Sequence, residues 1–552
     1  MLYPKLRVLT PLLAGFLSAC GGSGGSENPV QPGQACDGSV QDGSAGFNDV
    51  TATAGLCFDV AISAQDGTPA RLAGGVAVRD IDADGIYDLY LTPGRNTPGK
   101  LLKGQGTDYV DITEASGISV QSVDHAGAFV DLDGDGLPDL LSVQGQAPWL
   151  QVFRNRGDGT FIDRTGQMGP TLTKVAYSVA AGDYDLDGDL DLFFAHYNRS
   201  EKQDRWEFLW QNQGSGSYQD VSDRVAIEPF EAGQLQGLEK NFSFTPIFAD
   251  SNNNAYPDLL IASDFRTSQV LQNNSGDSYL DPTPNLATDR AGMGAAVADY
   301  DNDGDLDWFV SAIGDKREEF LTIGLFDGNR LYRNEGGGNF VNATDEADVR
   351  QGFWAWGSCF ADLNNDGYED LFIVNGYDGM TEEESLNGGF SEYRETSALL
   401  YINQGDGTFQ RGIEQSGIRH TAMGRGLACF DYDRDGDVDL LVVNNGQAPN
   451  LYRNDNFRGD RNFVNVSLTG LPGNELAVGA RIYVTAGELN MMRELQLGNH
   501  YVSQNPVEAH FGLDGNERID EIRVVWPGRD RTETLLTDLD ANQFIRISHP
   551  SL

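Results

Sequence analysis

Basic residues are scarce in this chain: 38 Lys and Arg stand against 83 Asp and Glu, a formal net charge of −45 over 552 residues. Such a field repels phosphate backbones and anionic lipid surfaces, which argues against a DNA or RNA partner. Histidine, at six, and cysteine, at five, are also few. There is no H-E-x-x-H, and the sole G-x-S-x-G runs from Gly21 to Gly25 inside a Gly/Ser stretch, so the usual zinc-protease and serine-hydrolase signatures are missing. Beyond the first twenty residues nothing approaches the roughly 18 apolar residues that a membrane-spanning helix needs.

The first residues have an address pattern of their own. Lys5 and Arg7 precede a short apolar stretch, Val8 to Phe16, and then Leu17-Ser18-Ala19-Cys20. This resembles a bacterial lipobox, with a plain secretory signal as the alternative. The lipobox implies a signal peptide over 1–19, lipid on Cys20 and a flexible Gly/Ser-rich tether over 20–44. The chain is then expected to be exported and anchored in the cell envelope by lipid alone. Gly21 stands where Asp commonly retains lipoproteins at the inner membrane, so a Gram-negative host implies the outer membrane. Export permits disulfides. Cys36 and Cys57 either pair or remain free. Cys359 and Cys429 lie three and two residues before an aspartate; those offsets face opposite sides of a strand, which predicts two buried free thiols.

What is abundant is aspartate at fixed spacing. Six segments read D-x-[DN]-x-D-G-x-x-D, and a seventh is degraded but in phase; their starts lie 49 to 69 residues apart, about the length of a four-stranded propeller blade. The acidic or amide positions 1, 3, 5 and 9 are Asp80, Asp82, Asp84 and Asp88; Asp131, Asp133, Asp135 and Asp139; Asp183, Asp185, Asp187 and Asp191. They continue as Asp250, Asn252, Asn254 and Asp258; Asp299, Asp301, Asp303 and Asp307; Asp362, Asn364, Asp366 and Asp370; and Asp431, Asp433, Asp435 and Asp439. Short apolar runs such as Leu192-Phe-Phe and Leu440-Leu-Val-Val follow, and read as buried strands. An EF-hand needs a Glu at position 12; here that position is Leu91, Ser142, Phe194, Ile261, Val310, Ile373 or Val442. The loops are therefore calcium-type turns between strands. Carboxylates at 1, 3 and 5 converge when Gly at 6 permits a sharp turn, and hard oxygens suit Ca²⁺. These loops hold 29 of the 83 acidic residues, which would repel one another without a cation. About six or seven Ca²⁺ ions are expected, the Asp250 loop being the doubtful one because it keeps two carboxylates.

Gly-rich hairpins such as Asn155…Gly157-Asp-Gly159-Thr-Phe161 and Asn403…Gly405-Asp-Gly407-Thr-Phe409 follow in several units. Each unit reads strand a, aspartate loop, strand b, strand c, hairpin, strand d. No good strand d follows Tyr452-Arg-Asn454, but Phe47-Asn-Asp49-Val-Thr51 supplies one at the start of the chain. The expectation is an all-β protein. A seven-bladed β-propeller with calcium loops spans 45–458, its last blade closed by strand 47–51, and a small all-β domain follows over 459–552. That domain, lacking aspartate loops, is expected to survive loss of calcium.

These repeats resemble the FG-GAP or VCBS type, found also in integrin α-subunits. The tail adds Val478-Gly-Ala-Arg-Ile482, Gly498-Asn-His-Tyr501…Ser503-Gln-Asn505, His510-Phe-Gly-Leu513 and Val524-Val-Trp-Pro-Gly528, which resemble the ASPIC/UnbV domain. Together, over about 45 to 552, they resemble the cartilage acidic protein family and its bacterial relatives. The resemblance implies an extracellular calcium-binding propeller without an established reaction. Nothing here resembles the EGF-like module of animal members, so partners bound through it are not carried over.

The a–b and c–d turns fall on one face and the longer b–c and d–a turns on the other. The long turns, near 197–210, 226–245, 314–330 and 376–396, carry Trp206, Trp210, Phe230, Phe320, Phe326, Tyr377, Phe390 and Tyr393, with Trp354 and Trp356 nearby. Aromatics there either bind a glycan or protein ligand or pack the loops together. His125, His196 and His420 map to the same face and offer a metal site or a catalytic group. The leading expectation is a binding protein for a glycan or a protein. The alternative is a propeller enzyme, a polysaccharide lyase or hydrolase.

Overall fold

The computed structural model describes residues 46–552 apart from 59, 61–71, 95–96, 121–123, 174, 198–207, 226–241, 265–266, 282–288, 315–325, 378–392, 394–395, 456, 460 and 499. The lipobox, the tether and most of the four long turns lie outside the described residues. Among the described residues no helix is long and apolar enough to cross a membrane.

Each aspartate loop joins the first two strands of a four-stranded antiparallel sheet. In the second repeat these strands are Asp124–Val130, Asp139–Gln144, Leu150–Asn155 and Phe161–Asp163, hydrogen-bonded in that order. Seven such sheets form. In the last, Gly46–Asp49 pairs with Asn450–Asp455, from Gly46 opposite Asp455 to Asp49 opposite Tyr452. The first strands of successive sheets are neighbours, and Gly75–Arg79 of the first sheet neighbours Gly424–Phe430 of the last, so the sheets close into a propeller whose outer edges are short strands.

The core explains why strand b reads as an unbroken apolar run. Alternate residues serve opposite faces of a blade, and both faces are buried against other blades. In Asp370–Asn375, Leu371 and Ile373 pack with Phe309 and Leu331 of the fifth blade, while Phe372 and Val374 pack with Leu440 and Val442 of the seventh. Each such side chain contributes about 1.5–3 kcal/mol on burial.

The same geometry corrects the reading of Cys359 and Cys429. They form a disulfide between the first strands of the sixth and seventh blades, with Cα atoms 6.7 Å apart. Opposite-facing offsets do not separate them. The side of the sixth blade that meets the seventh is the reverse of the side that the seventh presents in return, so residues of opposite parity meet. Cys57 is disulfide-bonded as well; Cys36 lies outside the described residues.

Side-chain amides stitch successive blades. The asparagine ending strand c in blades two to seven donates from Nδ2 into the preceding blade's aspartate loop: Asn155 to Ile81 O at 2.9 Å, Asn212 to Leu132 O at 3.4 Å, Asn273 to Tyr184 O at 2.7 Å. Asn334, Asn403 and Asn454 do the same to Ser251, Tyr300 and Leu363 at 2.7, 2.7 and 2.9 Å. Gly104, with no side chain to donate, takes this place in the first blade.

The C-terminal unit has two sheets. Asn462–Thr469 lies between Ala509–Asp514 and Gln543–Ser548, and Arg481–Ala486 and Arg518–Val525 form the centre of a four-stranded sheet edged by Leu489–Glu494 and Glu533–Asp540. It sits on the aspartate-loop face. From it, residues 497–498 and 500–505 run into the propeller axis and meet the inner strand of every blade. Gln504 bonds Val76 and Val78 through its backbone and both backbone groups of Phe129 through its side chain, the latter at 2.7 and 2.9 Å. Leu497 O accepts from Ala181 N, Tyr501 packs on Phe244 and Trp356, His500 meets the backbone of Ala295 and Ser358, and Asn505 Oδ1 accepts from Cys429 N. Gly75 and Gly426 make room: a Cβ on either would strike Val502 or Ser503.

Candidate metal centres

Each aspartate loop is shaped by its own hydrogen bonds. The position-1 carboxylate accepts from the backbone N–H groups of positions 5 and 6, as Asp183 does from Asp187 at 3.1 Å and Gly188 at 3.0 Å. Position 5 accepts from position 7, as Asp303 does from Asp305 at 2.9 Å. The buried position-9 carboxylate ties the loop to strand c: Asp439 accepts from Tyr432 N at 2.8 Å and Asn454 N at 2.7 Å. Gly at position 6 adopts positive φ in the six intact loops, +87° at Gly85 for instance.

Five loops gather three carboxylates whose ligand atoms all lie within 4.8 Å of one another. The groups are Asp80, Asp82 and Asp88; Asp131, Asp133 and Asp139; Asp183, Asp185 and Asp191; Asp299, Asp301 and Asp303; and Asp431, Asp433 and Asp439. At position 3 in each of these loops, Oδ1 of Asp82, Asp133, Asp185, Asp301 or Asp433 is buried without a hydrogen-bond partner. A buried carboxylate oxygen is costly unless something electropositive meets it. All-oxygen donors in a turn are the chemistry of a hard divalent cation, so these residues fit one. In the first two loops basic side chains sit on the outer rim, Lys103 against Asp82 and, at 3.1 Å, Asp84, and Arg154 at 2.8 Å from both Asp133 and Asp135. The sixth loop keeps Asp362, Asp366 and Asp370 but has Asn364 at position 3, whose Nδ2 is the buried atom without a partner. The Asp250 loop lacks any such atom.

Burial is the main cause of raised carboxyl pKa values here, with neighbouring carboxylates adding to it. Asp183 and Asp431 are pushed up to about 7 and Asp299 to about 8. Asp88 and Asp139 reach about 7, Asp301 and Asp433 about 6, and Asp191, Asp307, Asp370 and Asp439 rise well above the ordinary range. The cation-free fold therefore holds protons that the unfolded chain releases. The stability that these carboxyls contribute is fully present below the unfolded carboxyl pKa near 4 and is lost as pH rises through about 6 to 8. Thermal melts in EGTA should show a higher melting temperature at pH 5.5 than at pH 8.5, and calcium should add more stability at pH 8.5. A chelated protein that is more stable at pH 8.5 would contradict this.

The C-terminal unit lies on these loops, a placement that spacing in the sequence does not signal. Arg529 Nη2 reaches Asp185 O at 3.1 Å, Gly512 N donates to Asp362 Oδ2 at 3.0 Å, His510 Nε2 meets Asn365 Oδ1 at 2.7 Å, and Arg434 pairs with Glu508 at 3.2 Å. A polar cavity of about 120 Å³ remains at the junction, lined in part by Asp299, Asp362, Asp431, Glu369, Arg493 and His500.

The opposite face offers less. Trp210, Trp354, Trp356 and Tyr393 are buried, and Trp354 stacks on Tyr377 at 3.8 Å between ring centroids. The described aromatics thus pack the turns together; Trp206, Phe230, Phe320 and Phe390 lie outside the described residues. His125 and His420 are held neutral by burial, which lowers each to about 4, and His125 stacks on Tyr177. His196 is buried against Phe208. No histidine joins a metal-sized cluster among the described residues.

Comparison with known proteins agrees with this architecture. Residues 131–194, 250–310 and 313–373 match the FG-GAP-like repeat, and residues 470–551 match ASPIC and UnbV. The chain is 22% identical over 524 residues to cartilage acidic protein 1 of Mus musculus, covering 88% of this chain and 75% of that protein. It is 23% identical over 526 residues to the Homo sapiens protein of the same name, covering 88% and 73%. Among solved structures it is similar to a GH74 enzyme of Niastella koreensis at TM-score 0.38 and 12% identity, covering 86% of this chain and 68% of that one.

Proposed function

We propose that this chain is an exported, lipid-anchored propeller, stabilised by calcium, which binds a glycan or a protein through the face opposite its aspartate loops. The calcium reading rests on the buried, partnerless position-3 oxygen in five loops, each set among converging carboxylates. Positions 1, 3, 5 and 9 would hold the ion, which supplies the positive charge that the clustered carboxylates require. The same loops anchor strand c through position 9 and the next blade through the strand-c asparagine, so the cation would brace the ring. The likeness to cartilage acidic proteins favours a place in that family and an extracellular setting.

Two observations support the choice of binding face. The C-terminal unit covers much of the aspartate-loop face, and residues 497–498 and 500–505 occupy the axis against the inner strands. The face of long turns is what remains. Two buried carboxylates at that end of the inner strands are closed off from solvent: Asp124 Oδ2 accepts from Tyr90 OH at 2.5 Å, and Asp289 accepts from Ser268 and Tyr332. They form no open acid–base pair, which favours a binder over a lyase or hydrolase.

Replacing Cys20 by Ala is expected to shift the protein from the membrane to the soluble fraction; unchanged fractionation would refute the lipid anchor. The released chain, applied to glycan and envelope-protein arrays with calcium and with EGTA, should be retained by one ligand class and lose that retention in EGTA. A chain that binds nothing yet depolymerises a polysaccharide would replace the binder with an enzyme.

A further inference from the structure

The structure assigns the Asp250 loop a guanidinium from the C-terminal unit, set against its position-1 aspartate, instead of the metal ion that the other loops are suited to hold, an assignment that rests on the calcium reading of those loops. Within this loop the amides that replace carboxylates close the site with their own hydrogen bonds. Asn252 Nδ2 donates to Asp258 Oδ1 at 3.2 Å, and its Oδ1 accepts from Asn254 N at 3.1 Å. Asn254 Nδ2 donates to Asn273 O at 3.2 Å, and Ser251 Oγ donates to Asp258 Oδ2 at 2.5 Å. No oxygen is stranded, unlike position 3 of the five loops above. The donors a hard cation needs are turned away or occupied, and the loop does not fit one.

The positive charge arrives from outside the repeat. Arg481, at the start of the Arg481–Ala486 strand, has a side chain only 3% exposed. Its Nε bonds Glu494 Oε2 at 2.9 Å, Nη1 bonds Asn253 Oδ1, and Nη2 bonds Asp250 O and lies 4.0 Å from Asp250 Oδ2. Glu494 in turn accepts from Asp250 N at 3.1 Å, and Arg531 adds a second guanidinium 3.9 Å from Asp250 Oδ2. Arginine stays charged at every pH of interest, and its fixed fork suits this set of acceptors. The fourth loop is thus a permanent latch for the C-terminal unit, independent of free calcium.

Native mass spectrometry of the intact exported chain tests this by counting ions. Asp299→Asn, in a loop that fits calcium, should bind one ion fewer than the unaltered chain, whereas Asp250→Asn should bind the same number. Asn252→Ala, a milder change at position 3, serves if Asp250→Asn fails to fold and should also leave the count unchanged. Arg481→Gln should lower the melting temperature by the same amount in calcium and in EGTA, and Arg481→Lys should restore it poorly. Loss of an ion from Asp250→Asn or Asn252→Ala would overturn the latch alone. So would an Arg481→Gln effect that vanishes in EGTA. A count of zero in the unaltered chain would overturn the calcium reading and the latch with it.

Discussion

Excess EGTA is expected to lower the melting temperature of the entire chain by about 10–20 °C, with the propeller and C-terminal unit unfolding in one transition. Two unit charges about 4 Å apart at an effective dielectric near 20 repel by about 4 kcal/mol, and five loops gather three carboxylates each. Calcium binds the folded loops and has little affinity for the open chain. At a hundredfold excess over Kd it adds about 2.7 kcal/mol per site, so five sites together match the stability of an ordinary domain, about 5–15 kcal/mol. Mg²⁺ should restore stability poorly, since it resists losing water to a large oxygen cage. From sequence, the C-terminal unit is expected to survive chelation because it has no aspartate loop. The structure argues otherwise, for Gly512, His510, Arg529, Leu497, Gln504 and Asn505 bond directly to the loops or the inner strands. Calorimetry decides: a C-terminal transition that stays in place while the propeller's moves would show two independent units.

Tyr501→Ala is expected to cost about 3–5 kcal/mol in urea unfolding, the usual loss for a buried aromatic truncated to Ala. Tyr501 is fully buried, its ring packs on Phe244 and Trp356, and its hydroxyl donates to Leu72 O at 2.8 Å. Truncation opens a cavity on the axis, where the inner strands of several blades converge on one side chain. Tyr501→Phe removes only the hydroxyl and should cost about 0.5–1.5 kcal/mol. Gln504→Ala leaves N–H and C=O of Phe129 buried without their partner, at about 1–3 kcal/mol each. If Tyr501→Ala and Gln504→Ala both unfold within error of the unaltered chain, residues 500–505 contribute nothing to the ring.

Much of this was legible in the sequence because the signals are local. The aspartate spacing, Gly at position 6 and the apolar run after position 9 specify a turn between buried strands, and the structure builds that unit in every repeat. The asparagine before each Gly-rich hairpin was visible as punctuation, but its donation to the preceding blade depends on how blades stack. Residues 498–505 stood out as a motif, yet nothing in them says that Gln504 reaches Phe129, 375 positions away. Cys359 and Cys429 depart from the expectation of free thiols for a related reason: parity within one strand is readable, whereas the reversal of faces between adjacent blades belongs to the assembled ring. The weak fourth loop showed its missing carboxylates plainly, but the arginine that answers them lies 231 residues downstream.

Elemental analysis of calcium in the dialysed protein shows whether the aspartate loops hold metal ions. Five or six ions per chain are expected, one for each loop that gathers three carboxylates and a sixth only where calcium displaces Asp366 N and Arg461 Nη1 from Asn364 Oδ1 at the Asp362 loop. Two ions or fewer would show that the aspartates are ordinary turn residues and that calcium does not hold this propeller together.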